Sequence, residues 1–216
     1  MTQGPTLALE QPWLLRGPVA GVDEVGRGAL AGPVMVGVAV LSRDKDVPNG
    51  LRDSKQLSEI RREELEPTLH RWVDSWAVGE ASNEEIDAWG IRLALAVAIE
   101  RALGQLTVEP QHLFIDGPLN LLAVARDTPL GVTPPPPARP QDIPVTMVTK
   151  GDQRCATIAA AAVIAKVARD RLMAQLSEEY PDYGWALNKG YGTPSHRTAI
   201  HTVGVSPLHR QSWKLL

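Results

Sequence analysis

Residues 19–41 read VAGVDEVGRGALAGPVMVGVAVL. Two short apolar, β-branched runs, 18–25 and 33–41, flank a glycine-rich turn, which is the pattern of a β-hairpin. The first run carries adjacent acids, Asp23 and Glu24, and ends in Gly26-Arg27-Gly28. A buried carboxylate is costly unless it is paired, protonated or bound to a cation. In a regular strand neighbouring side chains face opposite ways. Asp23 and Glu24 can therefore serve one site only if the strand bulges or ends near Val25, and Gly26 and Gly28 can break the pleat there.

Further along the chain, helical patterns cover Ser58 to about Arg71, 83–103 and 155–180. Ser82 with Glu85 forms a capping box ahead of the second. The third is the richest in alanine, the best helix former, and its small side chains let a neighbour approach closely. Strands are predicted within 71–82 and at 112–116 and 143–149. Five strands with helices between and after the later ones predict an α/β domain with a mixed sheet. Residues 1–17 read as a loose tail, 18–180 as the core and 181–216 as a helical C-terminal region. Residues 121–142 include Pro134 to Pro137 and read as a stiff or disordered surface insertion.

The 216 residues carry a formal net charge of -3, unlike a protein that coats nucleic acid everywhere. The charge is uneven: residues 145–216 hold nine Lys and Arg against five Asp and Glu, a distribution compatible with phosphate contacts. One cysteine, Cys155, excludes an internal disulfide framework and a multi-cysteine zinc site, and fits a reducing compartment. The N-terminus shows no signal-peptide pattern, and no apolar run approaches the roughly 20 residues of a spanning helix. A cytoplasmic enzyme or binding protein is expected.

Asp116 ends the apolar run Leu113-Phe114-Ile115, and Asp170 lies four residues after Lys166 on the alanine-rich helix. Each has a structural alternative, a turn for Asp116-Gly117 and an ion pair for Asp170. Together with Asp23 and Glu24 they would form a hard oxygen site suited to Mg²⁺ or Mn²⁺. Two such ions roughly 3.5–4 Å apart can clamp an in-line phosphoryl displacement. Glycines in the Gly26-Arg27-Gly28 loop allow close backbone approach, and Arg27 offers a fork for phosphate or a partner for Glu24.

VDEVGRG, DSKQLS (53–58), FIDG (114–117), IAAAAVIAKVARDR (158–171), NKGYGT (188–193) and GVSPLHRQSW (204–213), in this order, resemble the ribonuclease HII family. The resemblance runs from about residue 18 to the C-terminus, outside the proline-rich segment. It implies an RNase H-like core and a smaller helical C-terminal region that binds substrate. The implied activity is cleavage of the RNA strand of RNA–DNA hybrids and cutting 5′ to single ribonucleotides in duplex DNA. It further implies 3′-hydroxyl and 5′-phosphate products, and metal ligands at Asp23, Glu24, Asp116 and Asp170. Gly26, Arg27 and Gly28 would read the 2′-hydroxyl, Tyr191 the RNA–DNA junction, and Lys55 and Lys150 phosphate. The chain ends Trp213-Lys214-Leu215-Leu216 without the clamp-binding peptide of some members, and a monomer without a sliding-clamp or membrane partner is expected. The competing readings are a resolvase-type DNA nuclease and a non-catalytic hybrid-binding module.

Overall fold

The computed structural model describes residues 4–126 and 143–216. Strands β1 (Val19–Val25) and β2 (Val34–Leu41) form the predicted hairpin, in unbroken antiparallel register from Val19↔Leu41 to Val25↔Met35. β3 (Ser75–Ala81) adds antiparallel to the outer side of β2. β4 (His112–Asp116) and β5 (Val145–Val148) run parallel to β1 on its other side. The result is the mixed five-stranded sheet expected, ordered β3-β2-β1-β4-β5.

Strand alternation sorts the core onto two faces. Ala20, Val22, Val36, Val38, Leu113 and Ile115 pack on α3 (Asn83–Gly104). This helix has the predicted capping box, but it breaks at Gly90, whose φ is +77°. The opposite face carries Val19, Ala39, Leu41 and Phe114, covered by α2 (Glu59–Trp72) and α5 (Ala156–Glu179). α5 lies almost on the strands: a Cβ on Gly21 would come 2.1 Å from the Thr157 carbonyl carbon. The alanine run therefore does what its small side chains suggest. Beyond the sheet, α6 (Trp185–Asn188) and α7 (Pro194–Val203) gather Leu30, Ala31, Met173, Tyr183, Trp185 and Ile200 into a separate small core.

Two expectations about loose segments are corrected. Residues 4–17 are no loose tail: they hold the short helix α1 (Gln11–Leu14), bridge Thr6 to Cys155, and bury Leu7 and Glu10. Glu10 Oε1 accepts from the Thr157 N–H (3.0 Å), the Thr157 hydroxyl (3.1 Å) and Cys155 Sγ (3.0 Å), and so caps the start of α5. Residues 121–126 form α4 (Leu121–Arg126), not a surface insertion. Leu121 and Leu122 enter the α3-side core, and Asn120 Oδ1 accepts from the N–H groups of Leu122 and Ala123. The rest of the proline-rich stretch, 127–142, lies outside the described residues. No helix among the described residues is long and apolar enough to cross a membrane.

Candidate active site

The hairpin places Asp23 at the edge where the parallel pairing of β1 with β4 runs out: Val22↔Ile115 is the last pair. Asp116, the final residue of β4, shares its sheet face, on the side covered by α5. The turn at Gly151–Gln153, between β5 and α5, brings in a third acid, Asp152. The Gly151 N–H donates to Asp116 Oδ1 at 2.6 Å, tying that turn to the end of β4. Three carboxylates from three successive strand ends thus meet at the edge of the sheet, where catalytic groups commonly gather.

Their electrostatics are those of an anion-crowded pocket. Asp23 is 7% exposed. Burial, followed by the charges of Asp116 and Glu24, pushes its pKa well above the ordinary aspartate value. Among the described residues, the Glu24 N–H, 2.8 Å from Oδ1, is the hydrogen-bond donor that favours its charged form. Asp152 rises to about 6, through burial first and then its neighbour Asp53, with which it shares a hydrogen bond. Asp53 moves the opposite way. Burial resists its charge, but the Lys55 N–H, the Asp152 carboxyl and the Gln153 amide outweigh that. Burial likewise opposes the charge of Lys55, yet Asp23, Asp152, Asp53 and Asp116 together hold its ammonium above the usual lysine value.

Glu24 stays on the opposite side of the strand from Asp23. The register through Asp23↔Gly37 and Glu24↔Val36 contains no bulge, and the strand ends after Val25 as the alternative expectation had it. Glu24 Oε1 instead meets Arg27 Nη1 at 3.3 Å, with the arginine half exposed. Asp170 does not join the cluster. Its Oδ2 faces Arg62 Nη2 at 3.2 Å and its Oδ1 accepts from Lys166 Nζ, so a buried and a half-buried cation occupy the two oxygens. Lys150 is exposed, with φ +54°, at the head of the Gly151–Gln153 turn.

The Gly26-Arg27-Gly28 loop sits beside the acids and is held from the C-terminal region. Arg210, fully buried, donates to the carbonyls of Gly26 (2.7 Å), Arg27 (2.9 Å) and Gly32 (3.0 Å). Burial, with Arg169 nearby, lowers the Arg210 pKa to about 9, which leaves it charged at neutral pH. Arg169, also buried, donates to the carbonyls of Ala31, Pro33 and Lys189. A side chain at position 26 would meet the Arg169 guanidinium 2.1 Å away, and φ there is +81°, so glycine is required. A Cβ at position 28 would face open space. Tyr191 closes the arrangement: its hydroxyl accepts from the Gly26 N–H at 3.2 Å. Asp152, Asp53, Arg169 and Arg210 are the residues sequence reasoning missed. For Asp152 the signal was available, since Gly151-Asp152 follows a strand much as Asp116-Gly117 ends one.

Among the described residues no three Asp, Glu, His or Cys side chains are already arranged around a single ion. The donor chemistry nonetheless fits a hard divalent cation: Asp23, Asp116 and Asp152 offer carboxylate oxygens alone, and the burial and carboxylate repulsion that raise Asp23 are what a bound cation offsets.

The ribonuclease HII family model matches residues 20–216. A ribonuclease HII of Streptomyces coelicolor is 46% identical over 198 residues, covering 92% of this chain and 77% of the relative. One from Jannaschia sp. is 45% identical over 210 residues, covering 97% and 95%. The crystal structure of ribonuclease H2 from Pyrococcus horikoshii superposes with a TM-score of 0.71 at 29% identity, over 92% of this chain and 94% of that one. With the family match spanning the whole sheet, the acid cluster and the C-terminal region, this chain belongs to the ribonuclease HII family.

Proposed function

We propose that the chain hydrolyses the RNA strand of RNA–DNA hybrids and cuts 5′ to single ribonucleotides in duplex DNA, leaving 3′-hydroxyl and 5′-phosphate ends. One observation supports this beyond family membership: the Tyr191 hydroxyl accepts from the Gly26 N–H at 3.2 Å, so an aromatic residue meets the glycine backbone that directly follows the strand carrying Asp23 and Glu24. Only the 2′-hydroxyl separates RNA from DNA locally, and a loop without side chains at two of three positions can press its backbone against a ribose.

Asp23, Asp116 and Asp152 would hold divalent cations, Mg²⁺ or Mn²⁺, with Glu24 approaching from the other face of β1. When bound, such ions supply Lewis-acid activation of the phosphate and of the attacking water. Lys55, 3.8 Å from Asp152 and exposed along its side chain, is placed to take a backbone phosphate. Arg27 would exchange its Glu24 contact for substrate phosphate, and Lys150 would add a further cation at the rim. Asp170 is left a structural role. It anchors Arg62, whose Nη1 donates to the carbonyls of Ser54 and Leu57 and so braces the segment carrying Lys55. The C-terminal region, 181–216, contributes Tyr191 and Arg210 to substrate reading. We assign the work to a monomer in the cytoplasm.

Tyr191 supplies the test of this reading. Stacking of its ring on the deoxyribose beyond a single ribonucleotide favours a junction over continuous RNA. Tyr191→Ala is expected to lower kcat/KM at an embedded ribonucleotide about tenfold more than on a long hybrid, in line with the ~1–3 kcal/mol of an aromatic stack on nucleic acid. Equal losses on the two substrates would remove Tyr191 from junction reading.

A further inference from the structure

Behind Tyr191 lies a closed hydrogen-bond chain of fully buried rings. His196 Nδ1 lies 2.9 Å from the Tyr191 carbonyl, which can only accept, so Nδ1 carries the proton. Neutral His196 then has an acceptor at Nε2, and the indole N–H of Trp185 donates to it at 3.0 Å. His209 Nε2 lies 3.1 Å from the same atom and must carry a proton of its own. That leaves His209 Nδ1 as an acceptor, which receives the Ser206 N–H at 2.9 Å. One assignment satisfies all four ring nitrogens, with both imidazoles neutral. Trp185, His196 and His209 have no exposed surface. Burial lowers the pKa of both histidines, that of His209 to about 4.

The chain reaches the loop by two routes. Through His196 it holds the Tyr191 carbonyl, while the Tyr191 hydroxyl rests on the Gly26 N–H. Through the next residue along, Arg210, it holds the Gly26 and Arg27 carbonyls. Among the described residues, none of these hydrogen bonds ends on Asp23, Asp116 or Asp152.

We propose that His196 is a positioning residue for substrate choice: its Nδ1–H fixes the Tyr191 backbone so that the ring meets the sugar at an RNA–DNA junction, and His209 fixes the tautomer that makes Nδ1 the donor. The proposal rests on the reading of Tyr191 given above. Loss of the contact lowers cleavage at an embedded ribonucleotide relative to cleavage of a long hybrid. Metal dependence stays as it was.

Two substitutions separate this role from general packing. In His196→Asn the side-chain amide nitrogen replaces Nδ1 and can still donate to Tyr191. In His196→Gln the terminal amide lies at the place of Nε2 and serves Trp185 and His209 instead. The experiment measures kcat/KM on both substrates for the unaltered protein, Tyr191→Ala, His196→Asn, His196→Gln and the Tyr191→Ala/His196→Gln pair, below each variant's thermal unfolding. His196→Gln is expected to lower the ratio of ribonucleotide to hybrid cleavage about fivefold, and His196→Asn to keep it within about twofold. In the Tyr191→Ala background, His196→Gln should add no further change in the ratio. If Tyr191→Ala shifts the ratio and His196→Gln does not, the positioning role is wrong and the Tyr191 reading stands. If Tyr191→Ala itself leaves the ratio unchanged, the Tyr191 reading fails and the positioning role falls with it. Should His196→Gln not fold, ¹⁵N NMR of the unaltered protein decides: a proton on Nδ1 of His196 and on Nε2 of His209 is expected, and the reverse tautomers overturn the proposal.

Discussion

Asp23→Asn is expected to reduce cleavage by about 10³-fold or more, roughly 4 kcal/mol of barrier, while the protein stays folded. Removal of a buried polar group usually destabilises, but here the charge itself is the liability. Asp23 is 7% exposed, and its charge is opposed by burial first and then by the charges of Asp116 and Glu24. Asparagine keeps the shape and an oxygen for the Glu24 N–H, now 2.8 Å from Oδ1, and drops the repulsion. In chelator the variant should therefore melt at the same temperature as the unaltered protein or higher. Added Mg²⁺ or Mn²⁺ should raise the melting temperature of the unaltered protein, since a ligand that binds the native state stabilises it, and should raise that of the variant much less. A variant that loses stability in chelator, or that gains as much from metal as the unaltered protein, would contradict a metal-holding role for Asp23.

The second large contrast sets Asp152 against Asp170. Asp152→Asn is expected to lower cleavage about 10²-fold and to raise the metal concentration needed for half-maximal activity, because its carboxylate faces Asp23 and Asp116. Asp170→Asn should act on stability instead. It strips a carboxylate from between Arg62 and Lys166, and an unpaired buried charge costs about 3–5 kcal/mol. Below its lowered melting temperature, Asp170→Asn should keep the metal midpoint of the unaltered protein. A raised midpoint in Asp170→Asn together with a normal one in Asp152→Asn would restore Asp170 as the ligand.

That contrast also shows where local sequence stops being informative. The hairpin, the capping box of Ser82 and Glu85 and the alanine-rich helix are written in short-range patterns, and the structure contains all three. For Asp170 the i, i+4 spacing offers Lys166, and that ion pair is present. The second cation, Arg62, lies 108 positions away, which no local pattern reveals. Asp152 lies on a three-residue turn between β5 and α5, and its meaning depends on β4 and β5 lying parallel beside β1. Glu10 was read as part of a tail for the same reason: the N–H it caps belongs to Thr157, 147 positions on. Asp23 and Glu24 were conspicuous because acids interrupt an apolar strand, a signal that needs no tertiary information.

The most direct test of the account compares two labelled DNA duplexes that differ by one embedded ribonucleotide, incubated with the protein in Mg²⁺, in Mn²⁺ and in chelator. The predicted result is a single cut 5′ to the ribonucleotide, leaving 3′-hydroxyl and 5′-phosphate ends, with metal only, and an intact all-DNA duplex. Equal cutting of both duplexes would contradict it and point to a DNA nuclease on the same sheet.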